Sequence, residues 1–213
     1  MSFSPIQAVL WDFGGVILSS PFEAFNTYEA EKGLPLDLIR GVNSTNPHSN
    51  AWALLERNDI SPQEFDSLFA TESEALGHRV PGADVLALLS GDVRPRMVQA
   101  LDTVKAAGFK IACLTNNVVS TEEPATARQA EVRTIMHKFD HVVESSKVGC
   151  RKPEPRFYEI ACELLQVSPT ECVFLDDLGI NLKPAAAMGM RTIKVGDPTI
   201  ALQELSDHLG LEF

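Results

Sequence analysis

One stretch near the N-terminus constrains this chain most. Ala8-Val9-Leu10-Trp11 runs apolar straight into Asp12, and Phe13-Gly14-Gly15-Val16-Ile17 follows at once. An apolar run of that length bounded by a glycine turn predicts a buried strand. The end of such a strand presents Asp12 to a loop whose glycines let backbone N–H groups approach a ligand. A carboxylate nucleophile beside an anion cradle is built this way. So is a plain strand that ends in a turn with a solvated aspartate, and the stretch alone leaves both open.

The strand texture then stops. Phe22, Phe25, Tyr28 and Ala30 take helical positions before Gly33-Leu34-Pro35, a stop signal, and Trp52, Leu54 and Leu55 resume the apolar spacing. Ser61-Pro62-Gln63-Glu64 is a capping box with proline at the first helical position, and it leads into Phe65, Leu68, Phe69 and Leu76. Pro81 to Leu89 reads as a further short helix, ending near Gly91. Residues 18–92 are therefore expected to be all helical, an insertion that covers something.

From Arg94-Pro95 onward the pattern alternates. A helix from Met97 to Ala107, stopped by Gly108, leads to the strand Phe109–Leu114, which ends at Thr115-Asn116-Asn117. A helical stretch from about Ala125 to His137 precedes a short strand near His141-Val142-Val143. A loop with Gly149 and Lys152-Pro153-Glu154-Pro155 opens a helix to Gln166, and Glu171 to Leu175 is a strand ending at Asp176-Asp177. The helix Asn181–Met188, the strand Met190–Val195 and a helix after Pro198 complete the series. Such alternation implies a parallel sheet with right-handed crossovers, whose ligands bind beyond the carboxyl ends of the strands.

Bulk properties narrow the function. The formal net charge is −11 with no run of Lys or Arg, which speaks against a nucleic-acid partner. An anionic small substrate would need a few cations converging locally. No apolar run approaches the ~20 residues a membrane span requires. The N-terminus has no basic region leading into an apolar secretion core. Cys113, Cys150, Cys162 and Cys172 show no close-paired metal spacing. A reduced, cytoplasmic setting is expected, with no membrane partner, as a monomer or homodimer.

Three predicted strands end in polar groups: Asp12, Thr115 with Asn116, and Asp176 with Asp177. Each has a dull explanation in ordinary turn chemistry. In a parallel sheet, however, all three ends share one edge. Carboxylates crowded there repel unless a cation joins them, and oxygen ligands with open positions suit Mg²⁺. A hydroxyl, an amide and an ammonium beside them suit a phosphate.

These residues resemble the haloacid dehalogenase superfamily. Its motifs correspond to Asp12-Phe13-Gly14-Gly15-Val16, Leu114-Thr115-Asn116, Val148-Gly149-Cys150-Arg151-Lys152-Pro153-Glu154-Pro155 and Phe174-Leu175-Asp176-Asp177. The stretch from Glu144 to Val195 is similar to the phosphatase domain of soluble epoxide hydrolases and to bacterial sugar-phosphate phosphatases. The resemblance implies an α/β fold: a Rossmann-like parallel-sheet core (1–17 and 93–213) with a small helical cap inserted after the first strand (18–92). It implies a Mg²⁺-dependent phosphatase acting on a small phosphorylated substrate. Asp12 would attack phosphorus. Mg²⁺ would be held by Asp12, the Gly14 carbonyl and Asp177, with Asp176 close behind. Gly14, Gly15, Thr115 and Asn116 would line the phosphate cradle, Lys152 would neutralise the cluster, and Asn181 would stand behind it.

One departure matters. Most phosphatases of the superfamily carry a second aspartate two residues after the nucleophile as general acid/base, and this chain has Gly14 there. General acid–base help is worth about 10²–10⁴-fold, so slow turnover or a non-catalytic phosphate binder is the alternative expectation. A dehalogenase is disfavoured by Asp176-Asp177 and by the lack of arginine between Asp12 and Glu31. Asp12-Phe13-Gly14 matches a kinase tripeptide without the kinase loops around it. His137 and His141 have zinc-like spacing, but a helix is expected to end between them. Cys150 beside Arg151 and Lys152 is read as a passive thiol, and Trp52 and Arg57 either face substrate or pack the insertion.

Overall fold

The computed structural model describes residues 5–89, 91–117 and 126–213. Five strands, β1 (Ala8–Trp11), β2 (Lys110–Thr115), β3 (His141–Glu144), β4 (Cys172–Asp176) and β5 (Arg191–Lys194), form one sheet in the order β3-β2-β1-β4-β5. Every pairing is parallel. β1 is central, and the chain winds outward first through β2 and β3, then through β4 and β5. The reversal of winding beside β1 makes its carboxyl end the natural crevice of the sheet.

The inner strands β1, β2 and β4 read as nearly unbroken apolar runs because both faces of the sheet are covered there. Alternation sorts their side chains. Val9, Trp11, Ile111, Cys113, Val173 and Leu175 face one cluster, with Met97, Leu101, Val104, Ile135 and Leu205 from the helices. Ala8, Leu10, Ala112, Leu114, Cys172 and Phe174 face the other, with Phe157, Tyr158, Ala161 and Ala185.

Between β1 and β2 lie six helices: α1 (Pro21–Lys32), α2 (Leu38–Ser44), α3 (Ala51–Glu56), α4 (Pro62–Ala75), α5 (Gly82–Ala87) and α6 (Pro95–Ala106). The first five share a third apolar cluster built wholly from residues between Phe25 and Val85, including Leu55, Phe65 and Phe69. The expected capping box is present at α4, where Ser61 Oγ accepts from Glu64 N–H and Glu64 accepts from Ser61 N–H. The two crossings between this insert and the sheet are tied together: Leu18 pairs antiparallel with Val93, and Ser19 N–H donates to the Asp92 carbonyl at 2.7 Å. The stretch expected to be helical throughout therefore begins and ends on a bridge.

The remaining helices are α7 (Ala127–Met136), α8 (Ser145–Val148), α9 (Pro155–Leu165), α10 (Gly179–Ala187) and α11 (Pro198–Leu209). Thr126 caps α7 through the Gln129 N–H, so the helix starts later than expected; Ala125 itself lies outside the described residues. The one-turn helix α8 was not expected from the sequence. No helix among the described residues is long and apolar enough to cross a membrane.

Candidate active site

Asp12 follows the last residue of β1, and its N–H donates to the Leu175 carbonyl of β4 at 2.8 Å. The chain turns immediately, and a wide turn over Phe13–Ile17 closes where Leu18 N–H meets the Phe13 carbonyl at 2.9 Å. Within it Gly14 is extended (φ −72°, ψ 130°) and Gly15 is left-handed (φ 81°). A Cβ on Gly15 would lie 2.3 Å from Asp177 Oδ2, so glycine is required twice over, for its φ and for the approach of that carboxylate. A Cβ on Gly14 meets no described atom within 4 Å. Arg94 Nη1 donates to the Gly15 carbonyl at 2.7 Å and pins the turn from the start of α6.

Lys152 supplies the cation. Its ammonium, on a side chain only 2% exposed, stands 2.8 Å from Asp12 Oδ1 and 2.7 Å from Asp176 Oδ2. Asp176 is fully engaged. Besides Lys152 it accepts from Leu178 N–H at 2.8 Å and from Asn181 Nδ2 at 3.0 and 3.1 Å. Asp12 Oδ1 also accepts from Phe13 N–H at 2.6 Å, which leaves Oδ2 without a partner among the described residues. Asp177 is held less tightly: its carboxylate accepts a 3.2 Å bond from Ser20 Oγ and a hydrogen bond from its own backbone N–H.

Two carboxylates thus share one ammonium, with the third, Asp177, beside them. Burial raises the Asp12 carboxyl well above the ordinary range, against the pull of Lys152, and Asp176 and Asp177 add to the rise. Burial and Asp176 likewise push Asp177 up to about 6. Burial alone would lower Lys152, but Asp12 and Asp176 outweigh it and hold the ammonium charged. The surplus is negative, and Asp12, Asp176 and Asp177 each offer an oxygen within 4.8 Å of the others. An all-oxygen donor set with surplus negative charge fits a hard divalent cation such as Mg²⁺.

Thr115, at the end of β2, and Asn116 lie along the same edge. The Asn116 amide is locked onto the Lys152 backbone: Oδ1 accepts from Lys152 N–H at 2.9 Å, and Nδ2 donates to Lys152 O at 3.0 Å. Asn181 is itself held, its carbonyl accepting from Tyr158 O–H at 2.7 Å.

Other sequence signals resolve differently. His137 follows the end of α7 while His141 opens β3, so they do not share a helix face. Burial pushes the Cys150 thiol up, with Glu154 adding to the rise, and Arg156 opposes it only in part. Trp52 packs edge-on against Phe65 at 5.6 Å, and Arg57 pairs with Asp59 at 3.0 Å. Four residues that touch the site had escaped notice as site residues: Ser20, Arg94, Glu56 and Arg151. Ser20 stands in a Ser-Pro helix start, and Arg151 is the neighbour of Lys152, whereas nothing around Glu56 in the sequence marks it.

Comparison with known proteins shows the family and the fold. A family model described as a haloacid dehalogenase-like hydrolase matches residues 6–189. A phosphatase of Mycobacterium tuberculosis is 33% identical over 204 residues, covering 89% of this chain and 87% of that one. Bifunctional epoxide hydrolase 2 of Rattus norvegicus is 38% identical over 219 residues, which is 98% of this chain but 40% of that protein. The chain spans between 19% and 40% of the length of the first curated relatives it matches. Among solved structures, a HAD family enzyme of Bacteroides thetaiotaomicron in complex with magnesium and inorganic phosphate shares the fold, with a TM-score of 0.56 and 22% identity over 90% of this chain and 96% of that one. Dehalogenases share the fold as well.

Proposed function

The chain belongs to the haloacid dehalogenase-like hydrolases, and within them we propose that it is a Mg²⁺-dependent phosphatase of small phosphate monoesters, sugar phosphates among them. The observation that carries this reading is the convergence at one sheet edge of Asp12, its Lys152 partner and the Asp176-Asp177 pair, with Thr115 and Asn116 alongside. The phosphatase relative, similar over nearly its whole length, supports it.

In this reading the free oxygen of Asp12 attacks phosphorus, the P–O bond to the leaving group breaks, and an aspartyl-phosphate forms. Water then attacks that phosphorus and returns Asp12 with inorganic phosphate. Lys152 holds Asp12 Oδ1 so that Oδ2 points to the substrate, and its charge offsets the charge that builds on the phosphoryl oxygens. The Thr115 hydroxyl and the Asn116 N–H bind those oxygens. Asp12, the Gly14 carbonyl and Asp177 would hold Mg²⁺, with Asp176 behind them; when bound, the ion neutralises phosphate charge. Asp176, held by Asn181 and Leu178, keeps Lys152 in place.

No side chain at position 14 delivers a proton to the leaving oxygen, so leaving groups that depart without protonation are the best substrates. The test is phosphate release from a panel of monoesters including sugar 1-phosphates, with Mg²⁺, with chelator, and with Asp12→Asn. Release that requires both Mg²⁺ and Asp12 is expected. A folded, metal-binding protein that releases phosphate from no member would instead be a phosphate-binding protein without turnover.

A further inference from the structure

Asp12, Asp176, Glu29 and Glu56 are the buried carboxylates among the described residues. The first two form the site. Glu29 accepts the N–H groups of Asp37 and Ile39, each at 2.8 Å, and so joins α1 to α2 inside the helical insert. Glu56 has no such local use. It is the last residue of α3, in the insert, yet two of its partners belong to the segments that end at the sheet edge.

Glu56 Oε2 lies 2.5 Å from Arg151 Nη2 and 3.3 Å from Asn116 Nδ2, and the Trp52 side chain donates a further hydrogen bond to the carboxylate. Arg151 also reaches the insert through Nη1, which donates to the Pro47 carbonyl at 2.9 Å. The Asn116 amide has two N–H donors and one acceptor oxygen. The oxygen and one donor are spent on the Lys152 backbone. Glu56 takes the other. The carboxylate thus reaches Lys152 by two routes, through the Asn116 amide and through the peptide neighbour Arg151, and Lys152 is the residue that aims Asp12.

We propose that Glu56 is a positioning residue: from the helical insert it fixes the Asn116 amide and Arg151, and through them the Lys152 backbone, so that the cation beside Asp12 is set only when the insert is seated. This rests on the phosphatase reading above. The role depends on the reach of the side chain and on an acceptor oxygen, not on a titrating proton. Glu56→Gln keeps both reach and acceptor. Glu56→Asp keeps the charge but withdraws the oxygen by about one C–C bond, ~1.5 Å.

The test compares Glu56→Gln, Glu56→Asp and Glu56→Ala in the full chain. It reads kcat and KM for the best monoester at saturating Mg²⁺, and binding of inorganic phosphate with Mg²⁺ by calorimetry. A misplacement of about 1 Å costs on the order of 10²-fold in rate. The expected order is therefore Glu56→Gln within about threefold of the parent kcat, and Glu56→Asp and Glu56→Ala at least tenfold below it. KM should change less than kcat, and the pH profile of Glu56→Gln should match the parent's. Where Glu56→Ala fails to fold, the Asp-against-Gln comparison decides. A fast Glu56→Asp with a slow Glu56→Gln overturns the proposal in favour of a charge role. Parent kcat per folded molecule in every variant overturns it in favour of a seam that only holds the insert down. A parent protein that neither releases nor binds phosphate overturns the phosphatase reading first, and this inference with it; a parent that binds without release shifts the same ordering to the phosphate Kd.

Discussion

The adjacent glycines of the first turn should respond to alanine in opposite ways. At Gly15 the φ of 81° alone costs a residue with a Cβ about 1–2 kcal/mol. For a domain of this size that lowers Tm by about 2–8 °C. The new Cβ would also sit 2.3 Å from Asp177 Oδ2, where ordinary contact begins at 3.4 Å. The carboxylate must retreat by about 1 Å, and it can, because it is the end of a side chain held by a 3.2 Å bond from Ser20 and by its own N–H. The retreat costs little stability and removes a candidate Mg²⁺ ligand. Disturbing a metal site in this way costs roughly 10–100-fold in affinity. The rise in Tm on adding Mg²⁺ should therefore shrink in Gly15→Ala beyond its loss of basal stability. At Gly14 neither problem exists: φ and ψ are ordinary and no described atom lies within 4 Å of the added carbon. Gly14→Ala should keep its stability, or gain about 0.4–1 kcal/mol from a stiffer unfolded chain, and keep its Mg²⁺ response. Thermal melts with and without Mg²⁺ check both. Equal Mg²⁺ responses in the two variants would refute the contact between Gly15 and Asp177.

Three further outcomes follow from the site. Gly14→Asp places a carboxyl in open space two residues after the proposed nucleophile; it should speed release from alkyl phosphates at least tenfold and from p-nitrophenyl phosphate far less, within the ~10²–10⁴-fold range of acid–base help, and equal gains on both would argue against proton delivery. Lys152→Met leaves Asp12 and Asp176 buried without their cation, so chemical denaturation should show a loss of about 3–5 kcal/mol, and a loss under about 1 kcal/mol would contradict the buried pairings. Asp177, raised to about 6 by burial and by Asp176, binds its proton more tightly folded than unfolded; its stabilising protonation is complete below about pH 4 and lost as pH rises through about 6. Measured against Asp177→Asn, the metal-free protein should therefore lose stability between pH 4 and 7, and a parent that gains stability relative to Asp177→Asn over that range would reverse the assignment.

The centre of the sheet was legible because β1, β2 and β4 are buried on both faces, which writes them as nearly unbroken apolar runs bounded by glycine and polar turns. Asp12, Thr115 and Asp176-Asp177 could be placed together for the same reason: each ends such a run, and parallel strands share one edge. Lys152 carries no periodic signal and ends no strand; its role at the site came from the resemblance. The one-turn helix α8 was missed, and α2 was not set apart within the helical stretch 18–92, since four and seven residues are too few to show a helical period.

What the sequence withholds is the seam between insert and core. Nothing in the sequence around Glu56 marks it, and Arg151 stands inside a motif without a role of its own. Their meaning is created only by tertiary contact, when α3 comes to rest beside residues 116 and 151. A carboxylate is costly to bury and survives burial only with partners that neutralise and hydrogen-bond it. Glu56 has such partners, and two of them, Arg151 and Asn116, are tied to Lys152 through the chain and through the amide. The catalytic reading of the sheet edge and the structural reading of the insert therefore meet in one residue. The candidate nucleophile and the acidic pair can be found from strand ends, but in the proposed reading the geometry that aims them depends on a helix that ends at Glu56, 44 residues after Asp12, at a position the local sequence does not distinguish.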